Sequence, residues 1–189
     1  MRAFRHLYGP VQSRRLGRSL GLDLLVPKTC CFDCIYCQQG RTTRKTLKRA
    51  EYVPADEVVA ELESFAVEWR GQLDYVTLSG SGEPTLNSAM REVLRAAKRL
   101  SLAPVCVLTN GATLVLPDVR ADLLEADLVV PTLTTAKEET FQRIHRPVGG
   151  LRLADVVAGW KKFLRDFGGR FEVEVMILAG INDTEEELE

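Results

Sequence analysis

The sequence predicts an α/β domain built on a parallel sheet. Three observations carry that prediction. Short apolar runs alternate with amphipathic helical stretches, without internal repeats or low-complexity tracts. The apolar runs lead into turns rich in Gly, Asn, Thr or Pro. The length, 189 residues of which 46 % are hydrophobic and 27 % charged, suffices for one domain with a sizeable core. Two curvatures fit this pattern, an open doubly wound sheet and an arc of a barrel. Periodicity alone does not choose between them.

Taken in order, residues 1–21 are expected to be a basic, irregular segment, because Gly9, Gly17 and Gly21 break any period. Arg14, Arg15 and Arg18 stand just upstream of the first strand. A role near a ligand and a plain surface role are both open to them. Leu22–Val26, closed by Pro27, reads as strand one. Residues 41–49 hold five basic side chains and no apolar period, so an exposed loop is expected. Pro54-Ala-Asp-Glu opens a helix with Val58, Leu62, Phe65, Ala66 and Trp69 on one stripe. Leu73–Leu78 is strand two and runs into Ser79-Gly-Ser-Gly-Glu-Pro-Thr85. The next helix carries Met90, Val93, Leu94, Ala97 and Leu100. Val105–Leu108 is strand three, ending in Thr109-Asn110-Gly111. A short helix over 118–125, strand four over 128–133 and a helix over 137–144 follow, the last stopped by Arg146-Pro147. Leu153 begins a helix with Val156, Trp160, Phe163 and Phe167 on one face, closed by Gly168-Gly169. Phe171–Leu178 is strand five, and Thr184 caps the start of a further helix.

Composition bounds the setting. No run approaches a membrane span, and the N-terminus lacks the apolar stretch of a secretory signal. Five cysteines, four of them clustered, fit a reducing cytoplasm better than a disulfide scaffold. Cys106, in Pro-Val-Cys-Val-Leu, reads as a buried strand residue. Net charge is −1, yet residues 1–50 carry +9 and residues 51–189 carry −10. The basic part suits an anionic partner such as a carboxylate, a phosphate or RNA; the competing reading is a solvated face.

The chemistry concentrates in residues 30–40, Cys-Cys-Phe-Asp-Cys-Ile-Tyr-Cys-Gln-Gln-Gly. Cys30, Cys34 and Cys37 are spaced C-x3-C-x2-C. Three thiolates fill three iron sites of a cubane and leave the fourth open. A structural zinc site wants a fourth ligand close by, and only Cys106, His6 and His145 remain. Cys31, Cys34 and Cys37 form a second triad, C-x2-C-x2-C, which geometry alone leaves standing.

With Tyr36 just before its last cysteine, this loop resembles the signature of the radical SAM superfamily. The resemblance implies that Cys30, Cys34 and Cys37 bind a 4Fe–4S cluster. It implies that S-adenosylmethionine (SAM) fills the open iron through its amino and carboxylate groups. It also implies a partial (β/α)6 barrel of about five strands. The chain stops at the helix that would lead to strand six, so a minimal or C-terminally truncated version is expected, in one domain over residues 1–189. Gly80, Ser81, Gly82 and Glu83 resemble the Gly-Gly-Glu-Pro motif that binds the SAM amino group; a helix cap is the other reading of Glu83. Asn110 resembles the strand-three turn lining the SAM pocket, or is an ordinary turn former. Thr132 can offer a hydroxyl where related sequences contact ribose, while Thr134 stands where they carry an acid. Asn182 resembles the contact beside adenine, or caps a helix. Tyr36 packs on adenine or merely covers the cluster. No catalytic residue is assigned beyond the candidate His145, which could move protons near the cavity or be structural.

Residues 8–21, the cysteine loop and residues 78–85 are similar to a group of Fe–S oxidoreductases loosely akin to wyosine-building enzymes. The resemblance implies reductive cleavage of SAM to a 5′-deoxyadenosyl radical that abstracts hydrogen from a substrate. RNA, a peptide, a partner enzyme or a small molecule could be that substrate. A reductant such as flavodoxin or ferredoxin would be needed, and no membrane. The competing class is a non-catalytic Fe–S or zinc module for binding or electron transfer, and a third is a truncated, inactive relative.

Overall fold

A β-hairpin opens the chain, which in this computed structural model is described over residues 4–188. Strands β1 (Leu7–Ser13) and β2 (Gly17–Leu22) pair antiparallel where the sequence reads as irregular. The glycines are accommodated and do not break the hairpin. Gly17 takes φ +59° in the turn, and a Cβ on Gly21 would overlap the Tyr8 ring, which lies over the bare backbone. β2 ends at Leu22, where the sequence places the start of strand one. Leu24 and Leu25 are buried in the loop that follows.

The remaining elements keep the expected order. β3 (Thr29–Cys30) and β4 (Arg44–Lys45) form a small parallel clasp on either side of the cysteine loop. Then come α1 (Ala55–Glu68), β5 (Tyr75–Leu78), α2 (Met90–Leu100), β6 (Val105–Thr109), α3 (Pro117–Leu123) and β7 (Leu128–Pro131). They are followed by α4 (Glu138–His145), α5 (Leu153–Phe163), β8 (Arg170–Phe171) and α6 (Glu185–Leu188). Six strands make one sheet in the order β1-β2-β5-β6-β7-β8, parallel except for β1.

Helix α1 shows how the pattern becomes structure. Pro54 sits at its N-cap, and Asp56 and Glu57 in its first turn favour the positive end of the helix dipole. Val58, Leu62 and Phe65 are buried on one face, each worth about 1.5–3 kcal/mol of apolar burial. Trp69 then stacks on Phe65 with ring centroids 5.3 Å apart.

Strand alternation separates two faces. Val76, Leu78, Val105, Val107 and Val129 join the buried side chains of α1 to α5 in the main core. Cys106, Leu128 and Val130 face the other way and pack with Leu16 of the hairpin turn, with no helix residue among them. All the core-packing helices therefore cover one face, which an open doubly wound sheet does not do. Arg15, in the hairpin turn, pairs with Glu174 beyond β8. Across a flat sheet the two would be about 19 Å apart, four spacings of about 4.8 Å, too far for one arginine. The sheet is curved, an arc of a barrel.

Strand five is shorter than the sequence suggests. Only Arg170–Phe171 is regular strand, with an isolated bridge from Thr132 to Glu174. Backbone bonds to β7 continue through Glu172 N–H to the Val129 carbonyl (3.1 Å) and Glu174 N–H to the Pro131 carbonyl (2.9 Å). Val173, Val175 and Ile177 are exposed, because among the described residues no strand pairs on the far side of β8.

Candidate functional site

The cysteine loop lies at the carboxyl ends of the parallel strands and is pinned from three sides. The N–H groups of Asp33 and Ile35 donate to the carbonyls of His145 (2.9 Å) and Ile144 (3.0 Å) at the end of α4. The Val148 N–H donates back to the Cys31 carbonyl at 2.8 Å. Arg146, left-handed at φ +45°, ends α4 and frees those carbonyls, which accounts for the Arg-Pro element. Phe32 is buried edge-on to Phe141 at 5.5 Å and anchors the loop in the core. The Thr42 N–H donates to the Asp33 carboxylate at 2.8 Å and closes the loop on itself.

The thiols divide by exposure. Cys30, Cys34 and Cys37 are half-buried and border one cavity of about 240 Å³, whereas Cys31 is fully buried and turned into the core. Burial pushes the Cys31 thiol well up, and it pushes Cys34 up to about 12. A hydrogen bond from Cys31 lowers Cys30. Each of the three cavity sulfurs has a side-chain nitrogen beside it. Asn110 Nδ2 lies 3.4 Å from Cys30 Sγ, His145 Nδ1 lies 3.2 Å from Cys34 Sγ, and Lys28 Nζ lies 2.7 Å from Cys37 Sγ.

The turns after β5, β6 and β7 complete the cavity. Gly80, Gly82, Glu83, Asn110 and Thr132 all border it, as does Tyr36. A Cβ on Gly82 would overlap the Thr29 carbonyl oxygen, so only glycine lets this turn lie against the start of the cysteine loop. The neighbouring Glu83 N–H donates to that same carbonyl at 3.1 Å. The Glu83 side chain is spoken for. It accepts from the Thr85 hydroxyl (2.5 Å), the Thr109 hydroxyl (2.6 Å) and the Asn110 N–H (2.7 Å), and it caps the short turn at Pro84–Leu86. Burial raises its pKa against those donors. Glu83 ties the β5 turn to the β6 turn.

Three expected side chains are placed elsewhere. Ser81 directs its N–H (2.9 Å) and its hydroxyl to Asp23 and does not border the cavity. Asn182 is buried and donates to the carbonyls of Thr134 (2.6 Å) and Met176 (2.8 Å), while accepting from the Leu178 N–H (2.6 Å). His145 lies under the loop and not in the cavity, between Cys34 and the Thr134 hydroxyl at 2.5 Å from Nε2. Burial holds its pKa down at about 4, so the ring is neutral. Thr134 is thereby committed to His145. Of the arginines, Arg15 reaches Glu174, itself a cavity residue, from the opposite end of the sheet.

Sequence reasoning missed Lys28, Ser79 and Glu174, which also border the cavity. Only Lys28 carried a signal, its place two residues before Cys30. Ser79 meets the Tyr8 hydroxyl from the hairpin. Larger grooves of about 690 and about 640 Å³ lie along the outer helices, lined by Arg91 and Asp122 in one case and by Leu133 and Val157 in the other. Neither contains a cysteine.

Comparison with known proteins decides the family. The profile of the Radical SAM superfamily matches residues 24–189. The chain belongs to the radical SAM superfamily. Two curated relatives cover nearly all of it: a GTPase Obg of Brachyspira hyodysenteriae, 40 % identical over 98 % of this chain and 27 % of its own length, and a UPF0026 protein of Synechocystis sp., 38 % identical over 97 % and 68 %. This chain thus spans only part of the relatives it matches. The solved structure of TYW1 with a lysine-pyruvate adduct shares the fold, with TM-score 0.58 and 15 % identity over 90 % of this chain and 59 % of its own.

The radical SAM superfamily binds a 4Fe–4S cluster and SAM, and these are the cofactors of this chain. The donor set fits. Among the described residues no three His, Cys, Asp or Glu side chains converge as on a single metal ion. A cubane needs no such convergence, because each thiolate takes a different iron.

Proposed function

We propose that this chain is the core of a radical SAM enzyme in which Cys30, Cys34 and Cys37 hold the 4Fe–4S cluster. The single observation behind the ligand assignment is exposure: these three thiols border the cavity, and Cys31 is buried in the core. A reduced cluster held there would supply one electron for the reductive cleavage of SAM, the chemistry that starts hydrogen abstraction from a substrate.

The chain's own residues position and shield. Gly80 and Gly82 bring backbone close to the cavity, where the SAM amino group would be met. Glu83 contributes by fixing that turn to Asn110, since its oxygens are already engaged. Asn110 and Thr132 offer polar groups for the rest of SAM, and Tyr36 offers an aromatic face. Ser81 and Asn182 support the turns from behind. His145 acts on the loop through Cys34 and not on substrate. We read residues 1–189 as one core domain, supported by a main apolar cluster that joins residues from Leu7 to Phe163. No helix among the described residues is long and apolar enough to cross a membrane. Five free thiols support a reducing compartment, the cytoplasm.

Anaerobic loading with iron and sulfide, then SAM and a low-potential reductant, tests the reading. It expects 5′-deoxyadenosine and methionine in equal amounts. Tightly bound zinc, or a loaded cluster that never cleaves SAM, contradicts it.

A further inference from the structure

Lys28 is a buried lysine that pairs with no carboxylate among the described residues. It is only 6 % exposed, and its Nζ donates to Cys37 Sγ at 2.7 Å and to the Gly40 carbonyl at 2.6 Å. Among the described residues its ammonium forms no salt bridge, whereas nearby Arg41 and Arg146 both reach Asp33. A buried cation without a compensating anion is costly. Among the described residues the anion-forming group it touches is the Cys37 sulfur. A cubane held by three thiolates is anionic in both oxidation states and gains a further negative charge on reduction. Net charge and hydrogen bonds to sulfur are among the terms that set a cluster's potential.

We propose that Lys28 is the counter-charge of the cluster: its ammonium holds the Cys37 thiolate and raises the potential at which the cluster takes up its electron. The inference rests on the cluster assignment above. Lys28 is a positioning residue that acts through Cys37. The nitrogens beside the other two sulfurs belong to the Asn110 amide and the His145 imidazole, so Lys28 brings the one ammonium among the three.

The test uses the whole chain, loaded anaerobically, as wild type, Lys28→Met and Lys28→Arg. Iron per chain is counted, and the cluster is titrated with a one-electron reductant and followed by electron paramagnetic resonance. At a fixed potential near the midpoint, the reduced-to-oxidised ratio of Lys28→Met is expected to fall about tenfold. For a one-electron couple that is a midpoint about 59 mV more negative. Lys28→Arg is expected to stay near wild type. In the iron-free protein Lys28→Met should melt no lower than wild type, because the anion it serves is missing. A fully loaded Lys28→Met with the wild-type midpoint overturns the proposal. Should Lys28→Met fail to load, iron uptake by Lys28→Arg supports it, and failure of Lys28→Arg as well overturns it. A wild type that takes up no iron sinks the cluster assignment instead.

Discussion

The turn after β5 and the turn at residues 179–183 carry equally suggestive polar residues, and the fold uses them in opposite ways. The β5 turn sits between two paired strands and is pressed against the cysteine loop, so Gly80, Gly82 and Glu83 border the cavity. The later turn follows an edge strand that has left its partner after Glu174. Its Asn182 spends its side chain on the Thr134 and Met176 carbonyls and the Leu178 N–H. A turn borders the cavity when neighbours on both sides of its strand hold it there. At the edge, the same residue types are consumed in holding the chain together.

Substitutions can break this contrast. The largest effect is expected at Gly82→Ala, whose Cβ would overlap the Thr29 carbonyl oxygen. Loss of about 3 kcal/mol or more and failure to retain iron are expected, by denaturant melts and iron assay. Near-wild-type behaviour would mean the two loops are not packed as described. Asn182→Ala should cost about 2–4 kcal/mol, because it orphans the buried Thr134 carbonyl and the half-buried Met176 carbonyl and Leu178 N–H. SAM affinity of the loaded protein should change less than about twofold, as expected for a group that touches only protein. A lost affinity with intact stability would make Asn182 a ligand contact and erase the contrast.

Glu83→Gln sharpens it. Replacing one acceptor oxygen with an amide NH2 that cannot accept from these donors should cost about 1–3 kcal/mol. Burial raises the folded pKa of Glu83. Its ionisation therefore withdraws stability as pH rises from the ordinary value of about 4.3 through the folded one. The penalty of Glu83→Gln should shrink as pH climbs, as followed by melting at several pH values. A penalty that grows with pH would show that the donors outweigh burial. The smallest effect is expected at Val175→Ser on the open edge, where the side chain is 56 % exposed, with a change within about 0.5 kcal/mol.

The sequence makes the centre of the sheet readable and its margins less so. Val105 to Leu108 and Leu128 to Val130 are apolar on both faces, and each leads to a turn that borders the cavity. The hairpin was hidden because Gly9, Gly17 and Gly21 erase side-chain alternation while backbone pairing continues. Strand five looked longer because Val173, Val175 and Ile177 alternate correctly, yet alternation does not say whether a partner strand exists. The cysteine cluster is plain from spacing, the family resemblance favours Cys30 over Cys31, and the burial of Cys31 supports that reading. Lys28 offers only its place two residues before Cys30 as a signal, because a lysine is almost always solvated and the folded loop alone shows its ammonium against sulfur.

The central claim is that three cavity thiols hold a cubane with one vacant corner for SAM. Iron counting and electron paramagnetic resonance on anaerobically loaded wild type, Cys30→Ala and Cys31→Ala test it most directly. Wild type and Cys31→Ala should each hold four irons per chain and change their reduced-cluster spectrum when SAM is added, while Cys30→Ala should hold no intact cubane. Retention of the cluster by Cys30→Ala with loss in Cys31→Ala, or a wild-type spectrum indifferent to SAM, would contradict the account.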